Sequence, residues 1–156
     1  MEVNKRIKKS FSVIGKQGST EDGANFIKAL WDDANSNFNE VACLAKKNKS
    51  NILAGIWGLM SDLSYSFKPW EDNFTKGLYL AGIEVDESTI APKGWVKWTV
   101  PSFEYIIIKN EDNDSFNKGL EYLKENNLSL VGAAHDFTSP QSGDNFIYFP
   151  IRKIID

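Results

Sequence analysis

The sequence predicts an α+β domain: two βαββ halves, a diverged repeat, that build one antiparallel sheet with helices on one face. Three observations carry this. Apolar segments recur in the order strand, helix, strand, strand, and that order then repeats. Phe26-Ile-Lys-Ala-Leu30 echoes Phe116-Asn-Lys-Gly-Leu120, and Ala54-Gly55-Ile56 echoes Val131-Gly132-Ala133. The length, 156 residues, is one domain's worth, so residues 1–156 read as a single unit.

Each element has its own signal. Ile7 to Lys16 reads as a strand, with Phe11 and Val13 alternating with serines. A helix starts near Ala24, where Phe26, Ile27, Leu30, Trp31 and Ala34 make one apolar stripe. Asn35-Ser36-Asn37 interrupts it, and Phe38, Val41, Ala42 and Ala45 resume a helical period. Lys46-Lys47-Asn48-Lys49 then places cations at that helix's C-terminus. Ile52 to Leu59 and Leu78 to Val85 are strands, separated by an irregular aromatic stretch from Ser61 to Thr75. In the second half, Trp95 to Val100 alternates, Pro101-Ser102 breaks the run, and Phe103 to Ile108 is a strand. Asp114 is an expected N-cap for a helix marked by Phe116, Leu120 and Leu123. Leu128 to Ala134 and Asn145 to Ile151 are the last two strands. The sheet face away from the helices is expected to stay open to a ligand.

Composition narrows the function. Lys plus Arg total 18 against 21 for Asp plus Glu, a net charge of −3 that argues against direct nucleic-acid binding. One cysteine, Cys43, and one histidine, His135, leave no disulfide framework and no cysteine- or histidine-rich metal site. No cofactor motif is present: there is no P-loop, GxGxxG, HExxH or nucleophile elbow. No apolar run approaches membrane-spanning length, and the N-terminus has no signal-like apolar region, so the expected location is the cytoplasm.

A set of motifs carries a resemblance. Pro101-Ser-Phe-Glu-Tyr105-Ile-Ile-Ile108 precedes a helix; Val131-Gly-Ala-Ala-His135-Asp136-Phe137 and Phe146-Ile-Tyr148-Phe149-Pro150-Ile151 follow it. Leu30-Trp31, Gly55-Ile56-Trp57-Gly58 and Tyr79-Leu-Ala-Gly82-Ile-Glu-Val85 add to them. The chain resembles, from about Ile7 to Ile151, the GyrI-like or effector-binding domains of the SOUL/GyrI superfamily. The resemblance implies a two-fold βαββ domain with a cleft between halves that binds aromatic or cationic molecules, as in multidrug-sensing transcription regulators. The residues before Ile7 cannot form a helix-turn-helix, so the chain is not expected to be a complete DNA-binding regulator by itself. The position of the family's cleft glutamate falls on Asp136, one methylene shorter. An alternative implied by stand-alone relatives is hydrolysis of cyclopropanoid, strained electrophiles.

From the residues, Asp136 is the first candidate, either as a counter-charge for a cation or as a catalytic acid or base. It could equally cap the turn after its strand. Trp57, Tyr79, Trp95, Trp98, Tyr105, Phe137 and Tyr148 are candidates for ligand-stacking aromatics, weighed against ordinary core packing. Trp57, Tyr79, Phe137 and Tyr148 are expected on one concave surface. Trp95 and Trp98, three apart, cannot share a strand face without a bulge. His135 should point away from Asp136, in a structural role. Glu84 and Glu104 are expected on a solvated face, and Cys43 in the core.

Overall fold

Two residues, Lys9 and Ser10, separate the first two strands, and that shortness shapes the whole sheet. The computed structural model describes residues 1–155. Its strands are β1 (Val3–Lys8), β2 (Phe11–Ser19), β3 (Ile56–Ser61), β4 (Leu78–Val85), β5 (Val96–Val100), β6 (Phe103–Lys109), β7 (His135–Thr138) and β8 (Asn145–Lys153). They form one antiparallel sheet in the order β1-β6-β8-β7-β3-β4-β2-β5. Six strand spacings separate β1 from β2, about 29 Å in a flat sheet. A two-residue link spans at most about 11 Å. The sheet must therefore roll until its two margins approach. Pro101 and Ser102 impose the same condition between β5 and β6. The two links touch, since Ser10 N donates to Ser102 Oγ at 2.8 Å.

The strand order reads the same after exchanging the halves, with β1 matching β5, β2 matching β6, β3 matching β7 and β4 matching β8. β3 and β7 pair across the resulting pseudo-two-fold axis, with Trp57 opposite Phe137. That register makes Trp57 and Phe137 equivalents, and carrying it through the neighbouring ladders makes Glu84 the equivalent of Tyr148. The helical echo holds: α1 (Phe26–Ser36) opens on Phe26, and α3 (Ser115–Glu125) opens one residue before Phe116.

Rolling gives the sheet two buried faces. The inner face gathers Phe11, Trp57, Leu59, Leu80, Trp98, Val100, Phe103, Tyr105 and Tyr148 into one cluster. The outer face carries the helices, with α1 over Ile14, Tyr79, Ala81 and Ile83 and α3 over Ile106, Ile108, Ile147 and Phe149. The face expected to be open is thus filled by the chain's own aromatics, because margins drawn together leave no flat surface.

Several boundaries differ from expectation for local reasons. The first predicted strand is two strands, broken where the backbone turns from one margin to the other. Residues 38–45 form two 3₁₀ turns, Phe38–Glu40 and Ala42–Leu44, and then run extended, with Ala45 bridging to Val85. Lys46 to Lys49 is consequently no helix end; Asn48 Oδ1 accepts from Ser50 N and Ile52 N and closes a turn there. Leu128–Ala134 stays outside the sheet, its backbone tied by Val131 N to Pro150 O and Ala133 N to Phe67 O. Asp114 holds the N-cap position of α3 without a side-chain bond. Cys43 is exposed rather than buried. The aromatic stretch includes α2 (Glu71–Phe74), a four-residue segment with left-handed φ at Asp72, Asn73 and Phe74.

Gly15 faces Gly82 across β2 and β4. A Cβ on Gly15 would collide with the Ala81 carbonyl, which is backbone and cannot swing away. Gly15→Ala should therefore destabilise the domain by roughly 3 kcal/mol in urea unfolding.

Candidate functional site

On the outer face α1 and α3 flank a groove over the centre of the sheet. Phe26, Leu30 and Trp31 of α1 pack against one outer cluster, and Phe116 and Leu120 of α3 against the other. Its floor comes from the centre of the sheet, with Tyr79 on β4, Met60 on β3 and Asp136 on β7. Strand alternation puts Ala134 and Asp136 on this face. The indole N–H of Trp31 donates to the Tyr79 hydroxyl at 3.0 Å. That hydroxyl lies over Gly58, where any Cβ would displace it, and donates to the Asp136 carboxylate. Gly58 and Asp136 are neighbours in the β3–β7 ladder. The chain of donors thus runs from the first half of the molecule to the carboxylate of the second.

Asp136 has no ion-pair partner among the described residues. Burial pushes its carboxyl up to about 6, against the opposing pull of the Tyr79 hydrogen bond. Burial likewise raises the Tyr79 phenol above its ordinary range. On the same outer face, a cavity of about 240 Å³ is lined by Met60, Trp70, Phe74, Phe116 and Ala134, with Pro69 and Ala133. Trp70 and Phe74 enter it from the α2 segment. Trp70 Nε1 is held by Leu78 O at 2.9 Å, and Phe74 meets Phe116 edge-on at 5.4 Å. The groove offers a cation an aromatic wall and one negative charge.

The inner face carries a second charged cluster. Glu84 is 4% exposed. It accepts from Trp57 Nε1 at 2.9 Å and lies 3.5 Å from Lys8 Nζ. Lys8 also stands over the rings of Phe11, at 4.5 Å, and Trp57, at 5.6 Å. Burial lowers the Lys8 ammonium pKa, and Glu84 offsets only part of the effect. This pair spans the roll, because Lys8 comes from the β1 margin.

The aromatic candidates divide between the faces. Trp57, Trp98, Tyr105, Phe137 and Tyr148 pack inside; Trp57 touches Phe137 at 4.8 Å and Tyr148 at 5.0 Å between ring centroids. Tyr79 and Asp136 lie outside in the groove, so Tyr79 does not share a surface with Trp57, Phe137 and Tyr148. Trp95 is also outside but away from the groove's centre, bonded to Glu40 at 2.8 Å and covered by Lys16 at 4.3 Å. His135 points inward, opposite to Asp136; Met60 N donates to its Nδ1 at 3.2 Å, and burial holds it neutral, pushed down to about 3. Glu104 is half-buried on the outer side and meets Arg152 at 3.2 Å. Glu84 was expected in solvent and is instead a core residue. The near-continuous apolar run Leu78-Tyr-Leu-Ala-Gly-Ile-Glu-Val85 signals a strand buried on both faces, where a carboxylate must find partners. Met60, Trp70 and Phe74 join the groove without any sequence spacing that marks them; Trp31 belongs to the apolar stripe of α1. No metal-holding group of His, Cys, Asp and Glu occurs among the described residues.

No family model and no curated protein matches the chain. Solved structures do share its fold. SAV2435 bound to tetraphenylphosphonium is 18% identical, with a TM-score of 0.64 over 97% of this chain and 94% of that one. The EcmrR C-terminal domain is 13% identical, with a TM-score of 0.62 over 98% of both chains. An integron cassette protein from the mobile metagenome of Vibrio cholerae is 15% identical, with a TM-score of 0.56 over 96% of this chain and 95% of that one. No helix in the described residues is long and apolar enough to cross a membrane.

Lys8→Met leaves Glu84 buried with only the indole as partner. Urea unfolding should show a loss of about 3 kcal/mol, the usual result of stranding a buried charge.

Proposed function

We propose that this chain is a GyrI-like effector-binding module that captures hydrophobic cations in the groove between α1 and α3, with Asp136 as counter-charge. The observation that carries this reading is a half-buried carboxylate, without a cationic partner among the described residues, on the floor of an aromatic groove. Such a charge is costly until a cation covers it. Trp31, Phe116 and Tyr79 supply ring faces and edges around it. The likeness of fold to a protein bound to tetraphenylphosphonium supports the same class of ligand. A ligand larger than the cavity displaces Trp70 and Phe74, and the left-handed backbone of α2 lowers the cost of moving them. Tyr105 and Trp98, inside the roll, act here as core rather than contact residues.

The raised pKa gives the alternative its footing: a carboxyl titrating at about 6 can take or give a proton close to neutrality. Hydration of a cyclopropanoid alkylator by the wild-type protein, absent in Asp136→Asn, would favour hydrolysis over capture.

The pH dependence has a definite sign. In the unfolded chain the Asp136 carboxyl titrates near its ordinary value, about 3.9. In the folded chain it titrates at about 6. The folded state therefore favours the neutral form, and ionisation as pH rises through this window destabilises the empty protein. Affinity for tetraphenylphosphonium should rise between about pH 5 and pH 7 as the charge appears. At neutral pH, Asp136→Asn should weaken that cation about tenfold, leave a neutral tetraphenyl analogue unchanged, and stabilise the empty protein by on the order of 1–2 kcal/mol. Calorimetric titration and thermal unfolding read these effects; equal losses for cation and neutral analogue would sink the electrostatic role.

A further inference from the structure

The two ends of the inner core are related by the pseudo-two-fold but are not closed alike. At one end, the connection after β3 folds back over the core: Phe67 and Tyr65 meet Trp98 edge-on at 5.8 and 6.2 Å. Gln17 ties this closure, accepting from Trp98 Nε1 and donating to the Tyr65 hydroxyl. Asp62 fixes the turn by accepting from Ser66 and Ser61. At the other end, the equivalent connection after β7 is only residues 139–144, a polar turn that brings no aromatic back. A hollow of about 380 Å³ remains there, lined by Asn4, Arg6, Ile107, Phe137, Phe146 and Tyr148, with Lys5 at its rim.

The charge of this hollow is opposite to that of the groove. Strand alternation turns Asn4, Arg6 and Lys8 of β1 toward the inner face. Lys8 is already matched by Glu84. Arg6 and Lys5 have no ion pair among the described residues, and Asp144, in the neighbouring turn, is engaged by Lys109 at 3.7 Å. The Arg6 guanidinium lies beside the Tyr148 hydroxyl, so two donors meet at one point of the wall. Phe137 and Phe146, with ring centroids 6.4 Å apart, form the apolar side.

We propose that this open end is a second binding site, for a flat organic carboxylate: the carboxylate accepts from Arg6 and the Tyr148 hydroxyl, and the ring lies against Phe137 and Phe146. A planar guanidinium matches a carboxylate with two parallel hydrogen bonds, which an amide cannot reproduce. The site is independent of the groove and holds whether or not the groove binds cations.

Calorimetric titration with 2-naphthoate and with neutral 2-naphthamide tests it. The wild type should bind the acid about tenfold more tightly than the amide. Arg6 is exposed, so its replacement should leave the fold intact. Arg6→Gln should bring the acid down to the level of the amide, and Arg6→Lys should restore part of the difference. Aromatic NMR shifts on 2-naphthoate addition should fall on Tyr148, Phe137 and Phe146. The proposal is overturned by equal affinities for acid and amide, by an unchanged acid affinity in Arg6→Gln, by shifts confined to Trp31 and Trp70, or by no heat at about 10 mM acid.

Discussion

The two-residue links at Lys9-Ser10 and Pro101-Ser102 are the constraint from which the rest follows. Each joins strands that the ladder places six spacings apart, so the sheet can satisfy its hydrogen bonds only by rolling. Rolling converts a surface that would face water into a second core and brings Lys8 of one margin against Glu84 near the other. It also leaves the outer face as the only one with helices to either side of a groove. The contact of Ser10 with Ser102 marks where the two links cross.

Much of the element order was legible because apolar periodicity survives in each segment. β4 spans Leu78–Val85 as read, and both helices begin beside the phenylalanines that head their stripes. What stayed hidden depends on pairing between distant segments. Ile7, Phe11 and Val13 share one parity, so the polar triplet Lys8-Lys9-Ser10 reads as part of one strand rather than as a turn between two. Alternation was read as one wet and one dry face, a rule that fails once both faces are buried. The expectations that Glu84 faces solvent and that Tyr79 shares a surface with Trp57, Phe137 and Tyr148 both fail there. The repeat was visible, but its alignment was not: β3 and β7 match through Trp57 and Phe137, whereas the glycine echo set Gly55 against Gly132.

Two carboxylates, Glu84 on the inner face and Asp136 on the outer, illustrate opposite solutions to one electrostatic problem. Glu84 is matched by an ammonium and an indole and contributes to a unique inner packing. Asp136 has a phenol alone, and its carboxyl is held far above the ordinary range by burial. A charge left incompletely satisfied lowers stability and raises the gain available to a partner, which is the trade expected where binding rather than folding has shaped a residue.

The exchange of first strands between halves has a consequence for how such a chain can arise and fold. β1 belongs to the first half in sequence but pairs with β6 of the second; β5 does the reverse. Each half by itself would lack the strand that completes its own sheet and would present an unpaired edge where that strand belongs. Two separate copies of a half would supply each other's missing strand, the geometry of a swapped dimer. The present chain is that dimer written as one polypeptide, and its halves are interlocked rather than stacked. The β3-β4-β2-β5 half is complete once β5 has emerged, but β1 has no partner until β6 follows it, so the closing step of folding waits for the C-terminal strands.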